Sequence, residues 1–100
     1  MRPVLVADLL YAGRALLTAP PEQRMGKARK LLDDAERADQ YRHVSGARHP
    51  TFGDGTLAAA AQASGLAPER ALVDPEFAHA LIVVLQALVC HRDATDWMLR

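Results

Sequence analysis

One hundred residues can enclose one modest hydrophobic core and are too few for two, so the chain is expected to form a single domain, residues 1–100. Half of the residues are apolar and 24% are charged, a balance that excludes a disordered chain. Twelve basic side chains cancel twelve acidic ones, which excludes partners chosen by bulk charge, such as nucleic acid or an anionic membrane.

The first element opens near Pro3. Leu5, Leu9, Ala12 and Leu16 recur beside Val6, Leu10, Gly13 and Leu17, the 3.6-residue period of an amphipathic helix with a broad apolar face. Gly13 costs such a helix ~1 kcal/mol relative to Ala, which suggests a place where another helix comes close. Arg2 and the apolar residues after it imitate a secretion signal, but Asp8 and Arg14 interrupt the run and no clean cleavage site precedes Pro20. Pro20 stops the helix, because it disfavours helical geometry at the residue before it and has no amide to donate.

Pro21 suits the first position of a second helix, and Glu22 suits the positive end of its dipole. Met25, Ala28, Leu32 and Ala35 follow, flanked by Leu31 and Ala38, and the pattern runs to Tyr41 or Val44 before Gly46 supplies a C-cap. The expected helix has about 24 residues and a length of ~36 Å. Its other faces carry a dense set of charges, Arg24, Lys30, Asp34 and Asp39 among them, read as a solvated surface with i,i+4 pairs such as Lys30 with Asp34.

A loop with Pro50, Gly53 and Gly55 comes next, and a third, alanine-rich helix is expected from Thr56 to Ser64-Gly65. Residues 66–73 offer at most a short helical turn opened by Pro68-Glu69. Asp74-Pro75-Glu76 is a strong helix start, combining an N-cap, a proline at the first position and an acid in the first turn. In the helix that follows, Leu81, Leu85 and Leu88 form one stripe, and Val83, Ala87, Cys90, Ala94 and Trp97 form another, widened by Val84 and Val89. A helix so nearly apolar all round is either the centre of a bundle or presents part of itself to another protein. The apolar run from Phe77 to Cys90 is 14 residues long, whereas a membrane span needs ~20. Cys90, the single cysteine, is expected as a buried, reduced thiol, and His91 beside it points about 100° away on a helix. The elements together imply an all-α fold, one small bundle of about four helices with a Pro/Gly-rich central loop, in a cytoplasmic protein.

Three patterns invite a functional reading. Arg48, His49, Asp54, Gly55 and Thr56 place glycines and cations before a helix N-terminus, where free amides bind anions, so a nucleotide-responsive module is one alternative. The lysine of a phosphate-binding loop is absent, however, and the plainer reading has Asp54 or Thr56 capping the helix. Ala61 to Leu66 matches the turn of a DNA-binding helix-turn-helix, with Pro68 to Asp74 as the reading helix, a second alternative; its single Arg70 among Glu69, Asp74 and Glu76 argues against nucleic acid as a partner. Glu36, Asp39 or Gln40, and His43 share a helix face that His49 could join, but their spacing matches neither a zinc nor a di-iron pattern, so no metal and no cofactor is expected.

The run Gly46-Ala47-Arg48-His49-Pro50, then Phe52-Gly53-Asp54-Gly55-Thr56-Leu57, Leu66-Ala67-Pro68-Glu69 and Asp74-Pro75 resembles a family of short uncharacterised alphaproteobacterial helical proteins. The likeness covers most of the chain, from Met1-Arg2-Pro3-Val4 onward, and implies a small bacterial domain without implying an activity.

No nucleophile with its base and no carboxylate pair is specified by spacing, so no catalytic activity is expected. The first reading is a protein–protein interaction or assembly protein, with a protein partner or self-association as a homodimer. Its interface is expected on the last helix at Val83, Ala87, Ala94, Trp97 and Met98.

Overall fold

The apolar periodicities and their breaks become four α-helices in the computed structural model, which describes the main chain of residues 1–99 and the side chains of residues 1–92. They are α1 (Val6–Leu16), α2 (Arg24–Ser45), α3 (Leu57–Ser64) and α4 (Pro75–Leu99), with a 3-10 turn at Pro21–Gln23 leading into α2. Among the described residues there is no strand, only an isolated bridge between His49 and Gly53. The fold is the all-α bundle expected from the sequence.

Helix ends follow local chemistry. The Thr56 hydroxyl accepts the Ala59 amide at 3.1 Å and caps α3, and the Asp74 carboxylate accepts the Phe77 amide at 3.1 Å and starts α4. Gly46 ends α2, its N–H donating to the Arg42 carbonyl at 2.8 Å. α1 begins later than expected, because Asp8 reaches back to accept the Leu5 amide at 2.8 Å and makes Leu5 the N-cap; Leu5 and Val6 are consequently exposed.

α3 and α4 each pack against both α1 and α2. Phe77, Leu16, Leu31, Leu32, Leu57 and Val84 are the largest fully buried side chains, each worth ~1.5–3 kcal/mol of apolar burial. Alanines at 12, 15, 35, 60, 61 and 80 fill the spaces where helices lie close. Gly13 is another such place. A Cβ there would lie 2.6 Å from Leu81 Cδ2 and 3.1 Å from Phe77 Cε1, so α4 passes over α1 at the bare backbone.

Three expectations are corrected. Arg24 does not belong to a solvated face: it is buried, its Nε donating to the carbonyls of Leu16 (3.1 Å) and Ala19 (3.0 Å) and its Nη2 pairing with Glu76 at 3.1 Å. The last carbonyls of a helix lack partners of their own, and this guanidinium supplies them for α1 while tying it to the start of α4. Cys90 is exposed, not buried. Residues 66–70 take no helical form; the Ala67 main chain is tied to Arg14 instead, its N–H donating to the Arg14 carbonyl at 3.1 Å and its carbonyl accepting Arg14 Nε at 3.0 Å. A helix-turn-helix therefore loses its reading helix. No helix among the described residues is long and apolar enough to cross a membrane.

Candidate functional site

A ligand anion at the start of α3 would need unpaired amides, and the chain fills that position itself. Asp8, buried in the first turn of α1, accepts the Leu5 amide with one oxygen and the Ala58 amide, at 2.9 Å, with the other. One carboxylate thus caps two helices and lies at the positive end of both dipoles. Thr56 takes the next amide. The Ala58 and Ala59 amides at this helix start are thus both bonded within the chain.

The residues expected around it have architectural partners. Asp54 accepts the Thr56 amide (3.1 Å) and hydroxyl (2.7 Å), and its second oxygen lies 3.9 Å from the Arg2 guanidinium. The Thr56 side-chain hydrogen bond, followed by the backbone amide and Arg2, holds the Asp54 carboxyl below its usual range against a smaller opposing effect of burial. Gly55 has φ +96°, and a Cβ there would fall 2.9 Å from Asp39 Cα, so the loop rests directly on the backbone of α2. His49 Nδ1 accepts the amides of Thr51 (3.0 Å) and Phe52 (3.1 Å), while its ring stacks on Phe52 at 4.9 Å and meets the Tyr41 ring edge-on at 5.0 Å. Arg48 is exposed, with its guanidinium over Gly53.

Two acidic residues of α2, Glu36 and Asp39, face the beginning of the chain. The Met1 ammonium lies 2.6 Å from Glu36 Oε2 and 3.2 Å from Asp39 Oδ2, and His91 Nε2 lies 3.2 Å from the other Glu36 oxygen. Burial opposes the Glu36 charge, but the ammonium and His91 outweigh it and hold the carboxyl below its usual range. His43 approaches Asp39 only to 3.7 Å, and His49 is committed to its loop, so the ligands imagined for a metal are not brought together. Among the described residues no three His, Cys, Asp or Glu side chains group to hold an ion.

A cleft of ≈430 Å³ lies between α1 and residues 69–72, lined by Leu10, Tyr11, Arg14, Arg70, Leu72 and Phe77 among others. Arg14 Nε is spent on the Ala67 carbonyl, and Arg70 pairs with Glu76 at 2.7 Å and Asp74 at 3.5 Å. The cleft's cations thus serve to fasten the connector before α4.

Among the described residues, a run of apolar side chains on one helix face is left without an internal role on α4. Ile82, Leu85 and Val89 are 49%, 46% and 58% exposed, and with Gln86 and the exposed Cys90 they line a shallow groove of ≈350 Å³. Val83 and Ala87, expected at an interface, are 8% and 2% exposed and belong to the core. Ala94, Trp97 and Met98 lie outside the residues whose side chains are described. The idea that α4 has apolar surface to spare is therefore retained, but on another stripe. Its signal was present in the sequence: His79 and Gln86 are the polar residues between Phe77 and Cys90, and at helical spacing they share a face with Ile82 and Val89. Polar residues in an apolar helix mark its solvent side; the buried Ala80 and Val84 lie opposite, while Val83 sits at its edge.

No curated protein and no solved structure matches this chain. A family profile does, over residues 2–88, from the loop before α1 well into α4. The chain accordingly belongs to the family described as a domain of unknown function, DUF7742.

Proposed function

We propose that the protein is a small helical assembly module that binds a protein surface through the outer face of α4. The observation that carries this reading is the line of half-exposed Ile82, Leu85 and Val89 on a helix whose opposite face already forms the core. Covering the remaining exposure of three such side chains contributes on the order of 1 kcal/mol each, enough for a specific contact of modest strength. The neighbouring groups favour an apolar partner, since Gln86 is neutral and the groove it lines with these residues and Cys90 carries no charged side chain. The reading assigns the protein binding and not catalysis, and the exposed single thiol suits a reducing cytoplasm.

Leu85→Asp tests it, because Leu85 is outside the core and the change leaves the packing intact. Wild type and variant are compared for what they retain, including further copies of the same chain, with helix content checked by circular dichroism. The expected result is a bound species retained by the wild type and lost by the variant at equal helicity. An identical retained set for both proteins overturns the reading.

A further inference from the structure

We propose that the cleft between α1 and residues 69–72 binds a free amino acid with an apolar side chain, its carboxylate on Arg14 and its ammonium on Glu69. The cleft shares no lining residue with the α4 groove, so the proposal stands apart from the reading of α4 as an assembly surface.

Arg14 provides the anionic end of the site. Fastening the connector uses only its Nε, which donates to the Ala67 carbonyl, while the Ala67 N–H donates to the Arg14 carbonyl. These two bonds, with the guanidinium held 5.6 Å from the centre of the Tyr11 ring, fix the head group at the wall of the cleft. Among the described residues, neither Nη atom of Arg14 has a hydrogen-bond or ion-pair partner. Arg24 is the contrast, since its Nη2 pairs with Glu76. A half-buried guanidinium held in place with its Nη groups open is shaped to receive a carboxylate.

Glu69 provides the cationic end. It lines the same cleft, is exposed, and makes no hydrogen bond or ion pair among the described residues. It follows two residues after Ala67, within ~7 Å of chain, so its carboxylate stands near the guanidinium that Ala67 holds without pairing with it. The third charged residue of the lining, Arg70, is neutralised by Glu76 at 2.7 Å and Asp74 at 3.5 Å.

These charges select the ligand. A simple anion on Arg14 meets repulsion from Glu69, and a simple cation on Glu69 meets it from Arg14. A neutral molecule strips water from both charges and returns nothing. A molecule carrying both charges on adjacent atoms satisfies each side and bridges the gap between them. The rest of the lining is apolar, with Leu10 and Phe77 on the α1 and α4 sides and Leu72, 62% exposed, at the rim with surface to give to a side chain. The volume of ≈430 Å³ falls in the range of small-molecule sites.

A titration of the full chain followed by amide NMR tests this with three compounds: L-phenylalanine, 3-phenylpropionate, which lacks the ammonium, and phenethylamine, which lacks the carboxylate. Phenylalanine is expected to shift the amides of Tyr11, Arg14 and Ala71 with a Kd near ~1 mM, the scale set by its few non-hydrogen atoms. Each analogue should bind at least about threefold more weakly, the upper range for one exposed charge pair. Glu69→Gln should lower the affinity for phenylalanine to that for 3-phenylpropionate and leave 3-phenylpropionate no weaker than before. Leu85→Asp should bind phenylalanine as the wild type does, so failure of the α4 reading and failure of this one are separate results. Either analogue binding as tightly as phenylalanine, or an unchanged phenylalanine affinity in Glu69→Gln, overturns the paired charges. Unshifted cleft amides at about 10 mM phenylalanine overturn the site.

Discussion

The two connectors on either side of α3, residues 46–56 and 65–74, are nearly equal in length and opposite in construction. The first is bonded to itself at almost every step: His49 and Gly53 exchange main-chain hydrogen bonds at 2.7 and 3.1 Å, His49 holds two further amides on its ring, and Asp54 holds Thr56. The second is fastened at its ends, by Ala67 to Arg14 and by Arg70 to Asp74 and Glu76, and leaves Leu72 and Val73 in solvent. The first connector looks more like a binding site in sequence, with its glycines, proline, histidine and acid. Those residues are instead consumed by the backbone groups of a tight turn. A concentration of conformationally special residues reports how many main-chain groups must be satisfied locally, and a ligand site needs groups left over.

Gly55→Ala is the sharpest way to break this comparison. The methyl group must enter a backbone conformation at φ +96° and fall within 3 Å of the Asp39 backbone, which no rotamer change relieves. The cost is expected near 3 kcal/mol, from the left-handed conformation and the displaced loop together. Chemical denaturation at neutral pH measures it. A loss under about 1 kcal/mol would show that the loop does not depend on its seat on α2.

How much of this was legible in the sequence follows from the range of each interaction. The caps at Thr56 and Asp74, the stop at Pro20 and Gly46, and the close approach at Gly13 were all visible, because each depends on a residue's own backbone or on its absent side chain. Asp8 and Arg24 were not. Each looks local, an acid interrupting an apolar run and a cation on a charged helix, and each acquires its role from an element brought near by the fold: the α3 amide for Asp8, the α1 carbonyls and Glu76 for Arg24. α4 failed for another reason. Periodicity needs contrast, and between Phe77 and Cys90 only His79 and Gln86 supplied it, so the interface was expected on the buried stripe of Val83 and Ala87.

Acid sharpens the comparison from the electrostatic side. Thr56 holds the Asp54 carboxyl below its usual range, so the group binds its proton more readily in the unfolded chain, whose value is ~3.9. Its contribution is fully present above that value and is lost as pH falls through the lower folded value. The half-exposed carboxylate is screened by solvent, so the contribution is expected below ~1 kcal/mol. Glu36, Asp74 and Glu76 are held low as well and give the whole protein a background loss in acid. The difference between wild type and Asp54→Asn, followed by amide exchange at Thr56 from pH 7 to pH 3, isolates the loop. The two proteins should converge in acid, and a constant gap would show that the Asp54 charge does not support the turn.

The smallest effect is expected at the second connector. Leu72 and Val73 are 62% and 89% exposed, so replacing both with serine removes little buried area and leaves the Asp74 N–H bonded to the Ala71 carbonyl at 3.0 Å. Stability should change by less than ~0.5 kcal/mol, the range of surface substitutions away from special features. That near-zero result carries information because the two connectors differ in what their side chains do. In the first, each distinctive side chain satisfies the backbone, so a single methyl group at Gly55 is costly; in the second, the turn is held by main-chain bonds and by Arg14 and Arg70, and the residues at its tip are free to change. If the double serine variant instead lost more than about 1 kcal/mol, the tip would be packing against the protein in solution, and the contrast between a self-satisfied turn and a strap fastened at its ends would no longer hold.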